Sequence, residues 1–237
     1  TLFPYTTLFR SAIEKDGHRV VVSGDYKRRP DPTCAPFEVV PCDAFVTEAT
    51  FGLPIFAFPD PEAEVQRLLA SRAMFPDRTH TVGAYALGKA QRLMRMLAVA
   101  GYDRPVWYHP AVAPLADYYR AQGIDLGNIR PAEEAPPASL AGEIVICTPG
   151  ALKNGWAERF PDPLIATASG WMQVRARARQ ISVLLPLVIS DHADWPALCR
   201  TAADTGAQEL WVTHGETEAL VYWASAAGLD ARPLDLI

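Results

Sequence analysis

Short apolar segments alternate with amphipathic stretches along the chain, and this alternation is the feature that most limits its fold. The strand-like segments are residues 18–23, 43–47, 105–108, 143–147, 163–167, 181–189, 209–213 and one near residue 233. Helical patterns open at residue 61 and fill residues 84–99, 195–203 and 218–227. Near-continuous apolar strands between helices predict an α/β fold with largely parallel pairing. In such folds, ligand-binding residues gather at the carboxyl ends of strands.

The composition is that of a soluble globular protein, with 49% hydrophobic and 21% charged residues in 237. No apolar run reaches the ~20 residues that a membrane span needs, so we expect no membrane partner. The cysteine usage fits a reducing cytoplasm, which is the predicted location. The four cysteines form no C-x-x-C pair. Cys147 and Cys199 lie in apolar segments and are predicted to be core thiols.

The net charge of −5 gives no general support for nucleic-acid binding, so any such binding must be local. Basic residues cluster at 27–29 and at Arg175, Arg177 and Arg179. A solvated face is the simplest interpretation of each cluster. Alternatively, the three arginines would line a phosphate-binding groove if they lie on a strand, where every second residue points to the same side.

Four polar residues follow predicted strands: Asp25, Glu48, His192 and His214. Taken singly, each has an ordinary explanation as a turn residue, a surface acid or a structural histidine. Their local contexts are more specific. Ser23-Gly24-Asp25, residues 47–52, residues 190–194 and residues 213–216 occur in this order along the chain.

Together these segments resemble the signature series of the metallo-β-lactamase-like nucleases that carry a β-CASP insertion. The closest resemblance is to the bacterial DNA-ligase-associated exonucleases, also labelled mRNA 3′-end processing factors. Further stretches that carry it are residues 23–37, 87–91, 169–172 and 190–195. The resemblance covers residues 12–237. It implies part of a metallo-β-lactamase αββα sandwich from residues 12–51 and 187–237, with an α/β β-CASP lobe inserted as residues 52–186.

The resemblance also implies a role for each residue. Asp25 matches the carboxylate that bridges two Zn²⁺ ions, and His214 matches a histidine ligand of the second ion. His192 matches the residue that protonates the leaving oxygen of the cleaved phosphodiester. Glu48 matches the acid that orients this histidine. Ser169 and Gly170 match a loop beside the cleaved phosphate, although an ordinary strand-end turn explains them nearly as well.

The family's main metal motif, His-x-His-x-Asp-His, does not occur in the sequence. His18, His80 and His109 stand in contexts unlike that of the family's later Gly-His loop and are predicted to be structural or surface residues. Residues 1–11 read as the in-frame translation of a sequencing adapter, so we expect them to have no defined place in the fold and no strand pairing. We therefore expect the motifs to lie upstream of Ala12 in the parent protein, and a smaller truncation after Ile237. Asp25 and His214 alone are too few ligands for a closed two-zinc site, so we expect the 237-residue chain to be inactive.

The sequence thus predicts that the parent is a Zn²⁺-dependent exonuclease acting on DNA ends in DNA repair, with a DNA ligase or a helicase as a candidate protein partner. Two alternatives stay open. One is an RNA-processing nuclease of the same superfamily, because the motifs serve both substrates. The other is a nucleic-acid-binding scaffold that has lost its metals, against which the retention of His192 and Glu48 counts.

Overall fold

The computed structural model of the chain describes residues 11–234 and has an α/β fold, as predicted. Residues 1–10 of the adapter-like segment, and residues 235–237, lie outside the described residues. Ser11 was expected to take no part in the fold, but it begins the first strand and pairs with Val22. At this one residue the expectation is wrong, because residues 11–15 form a strand that pairs with residues 18–22 across the hairpin turn.

The described residues form eleven strands and seven α-helices. The strands are β1 (Ser11–Lys15), β2 (His18–Val22), β3 (Ala44–Ala49), β4 (His80–Gly83), β5 (Val106–Tyr108), β6 (Ile129–Pro131), β7 (Ile144–Cys147), β8 (Leu164–Ala168), β9 (Leu185–Leu187), β10 (Glu209–Gly215) and β11 (Asp230–Pro233). The helices are α1 (Pro61–Met74), α2 (Lys89–Val99), α3 (Ala113–Ala121), α4 (Pro149–Lys153), α5 (Arg175–Gln180), α6 (Trp195–Asp204) and α7 (Thr217–Ala226). None of these helices is both long and apolar enough to cross a bilayer.

The chain divides into two compact units. The first combines Thr1–Phe58 with Asp191–Ile237, and the second is the continuous segment Pro59–Ser190. The boundaries fall seven and four residues after the positions that the resemblance implies, 51/52 and 186/187.

The first unit contains a five-stranded sheet in the order β1-β2-β3-β10-β11. The β1–β2 hairpin turns at Asp16 and Gly17, which both have positive φ and so match the right-handed twist of the strands. The remaining pairs are parallel. Phe45 of β3 and Leu210 of β10 pack with Leu198 of α6 in one core. A sandwich requires two sheets, and the described residues of this unit form one.

The second unit contains a six-stranded, all-parallel sheet in the order β6-β5-β7-β4-β8-β9. Every residue of β4 and β7 is buried, as expected for strands with helices on both faces. Cys147 ends β7 and is fully buried, which agrees with its prediction as a core thiol.

Two predicted elements of the second unit differ in the structure. Helix α2 begins at Lys89 rather than at residue 84, because Gly88 has a φ of 78° and interrupts the helical backbone. Residues 181–189 contribute only the three-residue strand β9, while Arg175, Arg177 and Arg179 lie on helix α5. The alternative in which these arginines share one side of a strand is therefore wrong.

Candidate active site

Glu48 lies near the end of β3, a strand in which all six residues are buried. The strand is central because it pairs with β2 on one side and β10 on the other. Glu48 is 2% exposed. A buried carboxylate is costly unless its oxygens accept hydrogen bonds, so the groups around it decide what this residue does.

The loop after β2 supplies the first of these groups. Gly24 has a φ of 60°, which turns the chain where β2 ends. The backbone N–H of Tyr26 then donates to Glu48 Oε1 at 2.9 Å. The Tyr26 ring is fully buried and stacks on Phe37 with a centroid distance of 4.8 Å. Asp25 thus lies between the glycine turn and the buried Tyr26 ring and is partly exposed.

His192 supplies the second group. Its Nδ1 lies 2.8 Å from Glu48 Oε2, although 144 positions separate the two residues in sequence. This distance falls within the hydrogen-bond range that the orienting role requires. The imidazole is 29% exposed and contacts the edge of the buried Phe51 ring, with a centroid distance of 5.9 Å.

These contacts define the chemistry of the His192–Glu48 pair. A carboxylate accepts hydrogen bonds, so Nδ1 carries the hydrogen and Nε2 is the nitrogen that can take up or release a proton. The buried carboxylate also stabilises the charged form of the ring. The arrangement is suited to general acid–base chemistry at Nε2.

The same residues contribute donors for a metal ion without completing a site. Ligand atoms of Asp25, Glu48 and His192 all lie within 4.8 Å of one another. Both oxygens of Glu48 already accept hydrogen bonds, from Tyr26 and from His192. The Asp25 carboxylate and the His192 imidazole then remain as possible ligands, whereas a zinc site takes three or four protein ligands. Within residues 11–234 the donor set at this cluster fits part of a zinc site and does not fit a closed one.

His214 lies outside this three-residue cluster. It follows Thr213, the residue of β10 that pairs with Glu48, at a register shift between Thr213 and Gly215. His214 is exposed and has a φ of 62°, which is uncommon for a residue other than glycine. Bulges of this kind re-aim side chains beside functional sites. The structure therefore places His214 at the same end of the sheet as Glu48.

Gly215 explains how the backbone of β10 packs so closely against the end of β3 at this bulge. Its φ is 104°, and a Cβ atom added to it would lie 2.3 Å from the carbonyl oxygen of Ala49. The neighbouring Glu216 N–H donates to the same carbonyl at 3.0 Å. Only glycine allows β10 to approach the end of β3 this closely.

Ser169 and Gly170 lie in the second unit, directly after β8. Ser169 Oγ accepts a hydrogen bond from the Trp171 N–H at 3.3 Å and so caps the short 3-10 turn Gly170–Gln173. Gly170 is buried. These contacts are those of a strand-end turn, and the role of the two residues beside a phosphate stays a prediction.

The basic cluster at residues 27–29 has a structural role that the sequence did not indicate. Lys27 pairs with Asp31 at 3.0 Å and Arg28 pairs with Asp204 at 2.6 Å, rather than facing solvent as a free patch. The third member, Arg29, donates to Asp194 at 3.2 Å.

Asp194 is 5% exposed and joins several segments. It accepts hydrogen bonds from the N–H groups of Phe58 and Ala197, both at 3.0 Å, the second of which caps α6. The signal that identifies it is the Asp194-Trp-Pro run, with an N-cap residue just before a proline in the first helical turn.

Comparison with known proteins gives a partial identification. No protein-family model matches the chain. The chain is 28% identical over 238 residues to the probable DNA ligase of Opitutus terrae, a match that spans 98% of this chain and 23% of the ligase. A crystal structure of a protein of unknown function from Enterococcus faecalis V583 matches with a TM-score of 0.51 at 12% identity, over 85% of this chain and 53% of that one. The structural match concerns the fold alone, and the sequence match links the chain to a DNA-related protein.

Proposed function

We propose that the chain is part of a metal-dependent phosphodiester hydrolase that acts on DNA, of the metallo-β-lactamase/β-CASP type that its motifs resemble. The observation that carries the proposal is the 2.8 Å contact between His192 Nδ1 and the buried Glu48. A core carboxylate that orients a partly exposed imidazole is the arrangement that general acid catalysis needs. The similarity to a probable DNA ligase favours DNA over RNA as the substrate.

In the proposed mechanism, His192 Nε2 gives a proton to the leaving oxygen of the cleaved bond. Glu48 keeps the ring in the required tautomer and stabilises its charged form. Asp25 would hold the metal through its carboxylate, and His214 is the second candidate ligand. When bound at these residues, Zn²⁺ would supply a water of low pKa and would neutralise charge on the phosphate. The remaining ligands come from sequence that these 237 residues do not contain.

A cleavage assay on two polypeptides tests this function. One is the 237-residue chain, and the other is a longer protein that carries the histidine motif upstream of Ala12. We expect the first to bind Zn²⁺ weakly and to leave a labelled oligonucleotide intact, and the second to cleave DNA in a chelator-sensitive way.

In the longer protein, His192→Ala should lower kcat by ~10²–10⁴-fold, the usual contribution of a general acid. His18→Ala is the matched control, because His18 is an exposed hairpin residue that pairs with Asp43. Metal-dependent cleavage by the 237-residue chain alone would overturn the assignment of the ligands. Binding of DNA by the longer protein without any cleavage would favour the scaffold alternative, and faster cleavage of a matched RNA would favour the RNA-processing alternative.

A further inference from the structure

Several charged side chains are almost completely buried in the second unit, outside the candidate active site, and two of them contact the same stretch of backbone. Glu64 of α1 is 3% exposed and Arg92 of α2 is 1% exposed. Burying a charge carries a desolvation cost that an apolar side chain of similar size would avoid. The hydrogen bonds that these two side chains make must therefore offset this cost.

Both side chains hydrogen bond to the backbone of the same short segment. Glu64 pairs with Arg67 on its own helix at 2.7 Å, and its Oε2 also accepts from the Val188 N–H at 2.7 Å. Arg92 Nη1 donates to the Ser190 carbonyl at 2.8 Å, across 98 positions of sequence. Charged hydrogen bonds to buried backbone groups are stronger and more directional than neutral ones. The path of the chain through residues 188–190 is thus fixed from both helices.

This segment leads directly into the candidate active site. Ser190 is the last residue of the second unit, and His192 follows it by two positions. On the other side of His192, Asp194 is fixed by the N–H groups of Phe58 and Ala197. The loop that carries the imidazole is therefore anchored before and after His192, with few rotatable bonds between the anchors.

We propose that Arg92 and Glu64 are positioning residues for His192, which hold the loop so that the imidazole meets Glu48. They act through the backbone of residues 188–190 and not through the imidazole itself. Their consequence for catalysis rests on the proposed function, whereas their effect on the His192–Glu48 contact does not. A misplaced ring would lose the hydrogen bond that selects its tautomer.

The test measures the imidazole directly in the 237-residue chain. With ¹⁵N-labelled histidine, NMR distinguishes the two ring tautomers, and the chain has only five histidines to assign. The wild type should show His192 with its hydrogen on Nδ1. Arg92→Met should lower the ratio of this tautomer to the other about fivefold or more, the effect of losing one hydrogen bond of ordinary strength. Arg92→Lys, which keeps a charged donor, should restore much of the ratio.

The matched control is Arg95→Met. Arg95 lies on the same helix and pairs with Asp125 near the surface, so its loss should leave the His192 signal unchanged. The other histidine signals report whether each variant is folded. Should Arg92→Met fail to fold, Glu64→Met gives an independent measurement by removing the acceptor of the Val188 N–H.

A folded Arg92→Met or Glu64→Met variant with an unchanged His192 tautomer would overturn the proposal. Loss of the tautomer in these variants supports it, even if the longer protein shows no nuclease activity. In that case the proposed function fails and the positioning role stands. If the longer protein is active, Arg92→Met should lower kcat and leave KM nearly unchanged, because the positioned group acts in the transition state.

Discussion

At the scale of single residues, Glu48 shows how contacts assign a role that residue type leaves open. A carboxylate beside an aspartate and a histidine could be a metal ligand or an orienting group. Its two oxygens accept hydrogen bonds from the Tyr26 N–H and from His192 Nδ1. These bonds favour the orienting role, and they predict different consequences for Glu48 and Asp25 when each is changed.

Glu48→Gln should separate these roles. The amide oxygen can still accept from Tyr26, but the amide group no longer stabilises a charged imidazole as a carboxylate does. We expect kcat of the longer protein to fall roughly 10–100-fold, as for the loss of a supporting carboxylate, with Zn²⁺ affinity retained. Asp25→Asn should instead weaken Zn²⁺ binding. Isothermal titration and a cleavage assay measure the two effects, with Glu218→Gln on the exposed face of α7 as the control. Equal loss of Zn²⁺ affinity in both variants would contradict the orienting role.

His214 is strained in a way that stability measurements can detect. Its φ of 62° costs most residues about 1 kcal/mol or more, whereas glycine adopts it freely. His214→Gly should therefore leave the free energy of unfolding unchanged or raise it by up to about 1 kcal/mol. Urea denaturation measures the change, with Thr213→Gly as the control that should destabilise the strand. A clear loss of stability in His214→Gly would show that the His214 side chain stabilises the fold, which would contradict a role in ligand binding alone.

At the scale of elements, the central strands of both sheets bury polar side chains with defined partners. In β4, His80 is fully buried and its Nε2 lies 3.0 Å from Ser71 Oγ. Burial lowers the pKa of His80 below its ordinary value. The folded protein therefore holds this histidine neutral, while the unfolded chain takes up a proton more readily.

This difference predicts acid sensitivity. Because the unfolded state binds the proton first, stability should fall as the pH drops below about 6.5 and towards the lower pKa of the folded state. Urea denaturation between pH 7.5 and 5 should show this slope, and His80→Gln should flatten it even if the variant is less stable overall. The exposed His18→Gln is the control, and an equal slope in wild type and His80→Gln would exclude His80 as the source.

Helix α5 shows why the prediction of short elements failed where the prediction of longer ones succeeded. Residues 175–180 alternate arginine and alanine, except for the final glutamine, a pattern that suits a strand or a helix equally. The chain forms a helix in which Ala178 is buried and Arg177 lies over the Trp171 ring, 3.8 Å from its centroid. Contacts with neighbouring residues therefore determine that this segment is a helix, because its own periodicity does not distinguish a helix from a strand.

At the scale of the whole molecule, the two units differ in how the chain builds them. The second is one continuous segment with its own six-stranded sheet, and the first is assembled from both ends of the chain. In the first unit the two segments meet where the Phe58 N–H donates to Asp194 and the Trp195 N–H donates to the Phe56 carbonyl at 2.9 Å.

Residues 59–190 should therefore fold when expressed alone. A parallel sheet with buried central strands retains its core within this segment. Circular dichroism should show mixed α/β structure, and urea should unfold the fragment in a single cooperative transition. A fragment that ends at residue 186 is the control, because it lacks the backbone groups that Glu64 and Arg92 hold. If residues 59–190 prove unfolded, the second unit depends on the rest of the chain.

The sequence by itself determined the α/β class, most of the longer helices and strands, and the strand ends near which Asp25, Glu48 and His214 lie. These features follow from hydrophobic periodicity and from turn and capping residues, which act over a few positions. Only the tertiary structure decided that Glu48 accepts from both Tyr26 and His192, that His214 sits on a bulge, and that Arg92 holds the Ser190 carbonyl. The reason is physical: these contacts depend on which strands pair and which groups become buried together, and residues up to 144 positions apart meet only when the sheet has formed.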